Sequence, residues 1–297
     1  MDITTDLISV NCLIDDWLRG KRIRQRGPQP QLSDSEVLTM EVVGEFLGID
    51  TDQGLYTYFR RHFADWFPAL QKIDRTTFTR QAANLWVIKE QLFVYLSQLV
   101  PHDPLISVVD IFPMAVCRFA RANRCRLFAG LAAFGYDEVA RQIYYGLRAH
   151  VCICWPGVIV ATTLASANVH DTEAAEELTQ DVQGWALADR NYWKPDWQMV
   201  LKERNLTLLA PFKSAKRQPF HYPHWLVEKR YRIETVFGQL VDRFHAKKVW
   251  ARDAWHLTSR WWRKLLSHLI AVLICQQVGL SPLRFSELLI DLTCTSG

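Results

Sequence analysis

The run Leu105-Ile106-Ser107-Val108-Val109-Asp110 decides how the middle of this chain is interpreted. It follows Pro101-His102-Asp103-Pro104, which breaks the helical pattern before it, and its aliphatic residues are typical of a buried strand. A second run, Trp185-Ala186-Leu187-Ala188-Asp189, has the same form. We therefore expect two strands that each end in an aspartate.

The runs around these two segments predict the rest of the order. Pro156-Gly157 is a turn signal between two β-rich runs, which indicates a hairpin. The predicted elements after Asp110 are strands Ile143–Trp155 and Val158–Ala165, helix Asp171–Val182, strands Trp185–Asp189 and Leu206–Pro211, and helices Val227–Phe244 and Thr258–Val278. Three strands followed by alternating helices and strands predict an α/β fold with a mixed sheet (α+β) of the ribonuclease-H-like type. The first and fourth strands can then end side by side.

Residues 1–100 are expected to form a separate helical region. Ser33-x-x-Glu36 is a capping box that opens a helix over Val37–Phe46. Asp74 precedes a helix over Thr76–Leu99, and Gly54–Arg61 is a further short helix. Short helices with arginines on one side allow a helix-turn-helix, and a plain helical bundle for packing or dimerisation fits equally well.

Charge is distributed unevenly, although the net charge is only +4. Residues 1–105 carry 11 Lys/Arg and 14 Asp/Glu, whereas residues 202–264 carry 15 Lys/Arg and 5 Asp/Glu, a net of +10. The basic segment is interleaved with tryptophans, which favours a nucleic-acid surface over a merely solvated face. A smaller basic stretch, Arg19–Arg26, is an exposed connection suited to phosphates.

Several classes of protein are disfavoured. The seven cysteines are scattered and no CxxC occurs, so neither a disulfide framework nor a zinc site is indicated. The N-terminus is acidic and does not resemble a signal peptide. The uncharged run Leu265–Leu280 is too short and too polar to span a bilayer. We expect a cytoplasmic protein with no membrane partner and no small-molecule substrate.

Glu234 is the third carboxylate of interest. In a helix over Val227–Phe244 it would share an apolar stripe with Ile233 and Phe237, where a charge is costly unless it is paired or binds a cation. A salt bridge to Arg230 is the alternative. Asp110 and Asp189 have alternatives too, as capping or turn residues. Three gathered carboxylates would suit two divalent cations, Mg²⁺ (or Mn²⁺), because all the ligands are oxygen.

At this point the residues resemble a family, the DDE transposases of bacterial insertion sequences. Asp110 and Asp189 are 79 residues apart, and Asp189 and Glu234 are 45 apart, as in that family. The resemblance covers about Leu105 to Gln276 and rests on four blocks: Val108-Val109-Asp110-Ile111-Phe112-Pro113, Ala167-Asn168-Val169-His170-Asp171, Leu187-Ala188-Asp189-Arg190-Asn191-Tyr192, and Arg232-Ile233-Glu234-Thr235-Val236-Phe237.

The resemblance implies that Asp110, Asp189 and Glu234 are the catalytic triad and bind the metal ions. It implies cleavage at the ends of a mobile element and attack of the 3′-hydroxyls on target DNA. The partners would be double-stranded DNA, both terminal inverted repeats and target, and a second copy in a homodimer. The chain would divide into a helical region (1–100), a catalytic domain (105–276) and a tail (277–297), in a bacterial, nucleoid-associated protein.

The resemblance also suggests residues around the triad. Asn168, His170 and Asp171 would support the carboxylates or contact DNA, although a capping Asp171 and a core His170 explain each one singly. Tyr192 would contact DNA or pack. Candidate DNA-binding residues are Arg118, Arg121, Arg124, Arg126, Arg190, Arg230, Arg232, Lys247 and Lys248. The family's Tyr-Arg-Lys motif around the Glu is not matched, because Val241 stands where the Lys would be.

Two other functions remain open from sequence. One is a catalytically inactive DNA-binding remnant or repressor of transposition. The other is a stand-alone nuclease of the same fold, which would cut without joining.

Overall fold

The computed structural model describes residues 2–24, 26–210, 224–248 and 250–285. It divides the chain into two compact units. The helical unit contains Met1–Leu99 and everything from Leu240 onward, and the α/β unit contains Val100–Gln239.

In its described residues, the helical unit has six α-helices. They are α1 (Ile3–Leu18), α2 (Asp34–Phe46), α3 (Asp52–His62), α4 (Arg75–Asn84), α5 (Trp86–Leu99) and α10 (Ala254–Gln277). The Ser33 capping box is present, because the Ser33 side chain accepts from Glu36 N and the Glu36 side chain accepts from Ser33 N. Asp74 caps α4, as its position before Thr76 predicted.

The prediction of one helix over Thr76–Leu99 is wrong, because the chain forms α4 and α5 with a break at Leu85. Apolar residues keep helical spacing across the break, so the periodicity gave no sign of it. Helix α10 packs against α5 and α2 and so belongs with the helical unit rather than with residues 105–276. Sequence order alone does not say which core a helix joins. Of the expected tail, residues 286–297 lie outside the described part.

A network of buried charges crosses the helical unit. Arg263 donates from Nε to Glu45 Oε1 (2.6 Å) and from Nη1 to Asp52 Oδ1 (3.0 Å). Lys89 Nζ donates to Glu41 (2.7 Å) and to Ser259 Oγ (2.7 Å). The remaining bonds are Lys264 Nζ to Glu45 (3.0 Å) and Arg260 Nη2 to Asp52 Oδ2 (2.6 Å). Glu41, Glu45 and Asp52 therefore each face at least one cation.

The α/β unit is organised on one six-stranded sheet. Its strands are β1 (Asp103–Ala115), β2 (Ala133–Asp137), β3 (Gln142–Trp155), β4 (Val158–Ser166), β5 (Gly184–Ala188) and β6 (Leu206–Leu209). They lie in the order β2-β3-β1-β5-β6, with β4 also paired to β3. Strand β1 is antiparallel to β3 and parallel to β5. The first and fourth of the expected strands are therefore neighbours, and the fold is ribonuclease-H-like.

Strand β5 can lie against β1 because its first residue is glycine. Gly184 has φ +80°, and a Cβ there would come within 2.5 Å of Leu105 O. A larger residue would strain the backbone and push the two strands apart. The close pairing of β1 with β5 therefore depends on this position.

Four helices complete the α/β unit: α6 (Asp171–Leu178), α7 (Pro195–Glu203), α8 (His224–Arg230) and α9 (Arg232–Gly238). Ala175, Leu178, Trp197 and Leu201 belong to a core cluster with strand residues of β1 and β5, including Val109 and Ala188. The sequence prediction missed β2 and α7, although Pro195 at the first helical position is a start signal. Pro211, expected at the end of β6, lies outside the described residues.

The predicted single helix over Val227–Phe244 is also wrong. The chain leaves α8 at a turn on Tyr231, forms α9, and continues as a π-helical segment over Gln239–Arg243. In the described part of the chain, no helix is both long and apolar enough to cross a membrane.

Candidate active site

Asp110 and Asp189 lie at neighbouring positions on β1 and just beyond β5. Val109 pairs with Ala188 in the parallel register, so the next residue on each strand is one of the two aspartates. Asp189 follows β5 directly, as predicted. Asp110 does not end its strand, because β1 continues to Ala115 through its antiparallel pairing with β3. The sheet itself therefore brings the two carboxylates together.

Both side chains are held by the backbone that follows them. Ile111 N donates to Asp110 Oδ1 (2.8 Å), and Arg190 N donates to Asp189 Oδ1 (2.6 Å). Each hydrogen bond engages one oxygen of its carboxylate and fixes the direction of the other. The capping alternative holds for Asp189, which opens a short 3₁₀ turn over Arg190–Tyr192. It is wrong for Asp110, because the residues after it continue strand β1 and form no turn.

The electrostatics of Asp110 mark it as a carboxylate without sufficient compensation. Its pKa is raised to about 6. Burial is the main cause, and the charges of Asp189 and Asp171 also raise the pKa. The Ile111 N–H and the charge of Arg230 act in the opposite direction. Arg230 is only a loose partner of the site, with Nη2 3.7 Å from Asp189 Oδ1. A divalent cation would supply the missing positive charge, and oxygen donors are the ligands that hard cations prefer.

Glu234 is placed near the aspartate strand but is not gathered with it. Phe237 on α9 packs on Phe112 of β1 with ring centroids 5.0 Å apart, which sets α9 beside the strand two residues past Asp110. Among the described residues, no three His, Cys, Asp or Glu side chains lie close enough to hold one metal ion together. The structure thus brings together two of the three predicted ligands.

The expectation that Glu234 sits on an apolar stripe is wrong. Ile233 and Val236 are the buried residues of α9, and Glu234 is exposed. Ile233 and Val236 lie three residues apart on the buried face of α9, and Glu234 lies off that face. Glu234 is consequently open to solvent. An unpaired carboxylate there costs little free energy of folding and is accessible to a cation or DNA.

His170 and Asp171 exchange the individual roles that sequence suggested. His170 is exposed and caps α6, with Nδ1 accepting from Thr172 N (3.3 Å). Asp171 is the buried residue, and its Oδ1 accepts from Arg148 Nη1 (2.7 Å). The helix begins at Asp171, so the residue before it takes the capping place. Asn168 is exposed in the turn before α6.

Arg148 is a residue of this region that sequence reasoning missed. It lies on β3 between Leu147 and Ala149, which are buried, and is salt-bridged to Asp171. Burial lowers the pKa of its guanidinium, yet Asp171 and Tyr144 together outweigh burial and the pKa is raised. A single arginine in an apolar strand was a visible signal, because such a charge needs a partner.

Tyr192 packs rather than contacting DNA. It is 1% exposed within the core cluster that holds Ala188 and Trp197. Burial raises the pKa of its hydroxyl well above the ordinary value, and the charges of Asp110 and Asp171 add to this. The residue supports the wall of the site beneath the two aspartates.

The predicted DNA-binding residues of the α/β unit are mostly accessible. Arg118, Arg121, Arg124 and Arg126 are exposed around a 3₁₀ segment after β1, and Arg190 is exposed beside Asp189. Arg230 and Arg232 are half-buried. The guanidinium of Arg232 lies 5.1 Å from the Trp155 ring, and Lys229 Nζ lies 3.6 Å from the same ring. Lys247 and Lys248 are exposed in the helical unit.

Comparison with known proteins assigns the chain to a family. Residues 102–250 match the family model described as "Transposase DDE domain". No curated protein sequence matches. A solved structure titled as a piggyBac transposase synaptic complex with hairpin DNA aligns over 96% of this chain and 76% of that chain, with 11% identity and a TM-score of 0.47. The matched family segment spans half of the chain and contains the sheet, both aspartates and Glu234, and on this match the chain belongs to the family of transposases with a DDE domain.

Proposed function

We propose that this protein is a DNA transposase that cleaves the ends of an insertion sequence and joins their 3′-hydroxyls to target DNA. The observation that supports this most is the pair Asp110 and Asp189, fixed side by side by the β1–β5 register. The pKa of Asp110 is raised to about 6, as expected of a carboxylate that awaits a cation. Membership of the DDE transposase family makes phosphoryl transfer the reaction to test first.

We propose Asp110, Asp189 and Glu234 as the ligands of two divalent ions, Mg²⁺ with Mn²⁺ as a substitute. When bound, such ions activate the attacking oxygen and stabilise the leaving oxygen of an in-line displacement. The residues fit this group, because the two carboxylates are already adjacent and Asp110 is short of positive charge. Glu234 is exposed on the helix that packs on Phe112, so it is available as the third ligand.

The chain's own side chains would bind and orient the DNA. Asp110 and Asp189 are held by backbone N–H groups, which keeps the two carboxylates in place before DNA arrives. The exposed arginines around the 3₁₀ segment after β1 offer positive charge next to the strand that carries Asp110. Binding to phosphates would make DNA affinity salt-dependent. Joining two ends calls for two active sites, which is why a homodimer is part of the proposal.

The experiment uses purified protein, Mg²⁺, a linear DNA bearing the repeats that flank the gene, and a supercoiled target plasmid. We expect cut ends that become joined to the plasmid. Joined product should disappear in Asp110→Asn and Glu234→Gln. The matched control is Glu228→Gln, which removes the same charge from α8 at an exposed residue paired with His224, and should retain joining.

The other outcomes separate the competing functions. Cutting without joining, and without preference for paired ends, would indicate a nuclease. DNA binding with no cutting in either Mg²⁺ or Mn²⁺ would indicate an inactive DNA-binding protein. Joining that survives Asp110→Asn would show that the site is assigned wrongly.

A further inference from the structure

A basic cavity of about 280 Å³ lies in the helical unit, between α1 and α2. It is lined by Lys21, Arg22, Ile23, Arg24, Arg26, Gly27, Pro28, Gln29 and Asp34. Four of these residues are cationic and one is acidic, so the lining has a formal net charge of +3. An opening with this charge is suited to an anion.

The acidic member does not oppose an anion, because its charge is already matched. Arg24 donates from Nη1 to Asp34 Oδ2 (2.7 Å) and from Nη2 to Asp34 Oδ1 (2.5 Å). Asp34 Oδ1 also accepts from Gln81 Nε2 (2.8 Å), which donates to Leu32 O as well (2.9 Å). This buried chain of bonds holds one wall of the cavity in a fixed position.

The remaining cations lie at the surface. Lys21, Arg22 and Arg26 are exposed, and Arg22 Nε donates to Arg24 O (3.3 Å). Lys21 Nζ sits 3.2 Å from the centre of the Trp17 ring, which limits where the ammonium group can go. The cavity thus combines a rigid wall at Arg24 with cationic groups on its solvent side.

We infer that this cavity seats a backbone phosphate of double-stranded DNA. The inference rests on the proposed function and deepens it by naming a place where DNA binds outside the metal site. Phosphate binding of this kind fixes the position of a duplex without reading its sequence. Such a seat in the helical unit would hold DNA independently of the carboxylates of the α/β unit.

The test measures binding of a short fluorescent DNA duplex by anisotropy, in EDTA, over a series of salt concentrations. The variant is Arg22→Gln with Arg26→Gln in the full chain. We expect its Kd to rise roughly tenfold at low salt, and the slope of log K against log salt to become shallower by about 0.9 for each phosphate that is no longer neutralised. The matched control is Arg75→Gln with Arg80→Gln, which removes the same charge from exposed arginines outside the cavity lining.

Equal weakening by the control pair would show that only overall charge matters and would overturn the inference, as would unchanged binding in the cavity variant. A third arm titrates pyrophosphate into the wild-type chain. Tight pyrophosphate binding that is absent from the cavity variant, with DNA affinity unchanged, would assign the cavity to a free anion instead. Because binding is read without cleavage, a chain that binds DNA through the cavity yet never cuts would refute the proposed function and leave this inference standing.

Discussion

Two acidic groups of this protein, Asp52 in the helical unit and Asp110 in the α/β unit, have pKa values shifted in opposite directions. In the helical unit, Glu45 and Asp52 are almost completely buried, and Arg263 donates to both. Burial raises the pKa of Asp52, yet Arg263 and Arg260 outweigh burial and the pKa is lowered. In the α/β unit the pKa of Asp110 is instead raised to about 6.

Under the proposed function, the difference separates an acid that serves the fold from one that serves the reaction. A carboxylate whose charge is fully matched by the protein has nothing to gain from a metal ion. One that is buried without sufficient compensation lowers stability until a cation arrives, and such groups cluster at functional sites. Asp171 is a second comparison within the α/β unit, since burial raises its pKa too, but its salt-bridge partner Arg148 acts in the opposite direction.

The largest expected effect is on strand joining, and it is seen by comparing Asp189→Asn with Asp171→Asn. Loss of a metal ligand removes several kcal/mol of transition-state stabilisation, so Asp189→Asn should reduce strand joining by about 10³-fold or more. Asp171→Asn should instead cost stability, roughly 1–3 kcal/mol, because it removes a charge-assisted hydrogen bond to Arg148. Joining assays and urea unfolding of both variants measure this. Equal losses of activity at unchanged stability would contradict the distinction.

The next effect is on the helical unit. Lys89→Met leaves Glu41 without its closest cation in a fully buried site and should cost about 3–5 kcal/mol. Adding Glu41→Leu should recover most of that loss, because the orphaned charge goes as well. Lys72→Met, at an exposed lysine, is the control and should be nearly neutral. Urea unfolding measures all three, and a double variant no more stable than Lys89→Met would refute compensation between the two charges.

Sequence predicted those parts of the site that depend on local pattern and strand order. Asp110 and Asp189 follow apolar runs, and the order of elements puts their strands together. The environment of Glu234 was not predictable, because apolar residues on both sides of it in the sequence do not say which side of α9 is covered. The pairing of Arg148 with Asp171 depends on how β3 and α6 meet across 23 residues, which no local pattern records.

A smaller effect is expected from His268, which packs between Phe244 and Phe285 in the helical unit. Burial lowers its pKa from 6.5 to about 3, so the neutral ring is favoured in the folded state. The contribution of the neutral, buried ring to the free energy of unfolding is fully present above pH 6.5. It is lost as the pH falls towards 3. Between pH 7 and pH 5 the wild type should lose about 2 kcal/mol more stability than His268→Phe.

Urea unfolding at both pH values measures the His268 effect, and groups common to both proteins cancel in the difference. If His268→Phe tracks the wild type between the two pH values, burial of this ring does not control its protonation.

The smallest effect tests whether local signals or buried charges dominate the helical unit. Ser33 Oγ accepts from Glu36 N (3.1 Å), and Glu36 Oε2 accepts from Ser33 N (2.6 Å). Ser33→Ala should cost about 1 kcal/mol, and Ser33→Thr much less, since threonine can also cap. Without the cap, helix α2 is still stabilised by its buried face and by the buried charge network. If Ser33→Ala costs as much as Lys89→Met in urea unfolding, the local signal matters more than the buried network, and the contrast between matched and unmatched acids loses its energetic basis in this unit.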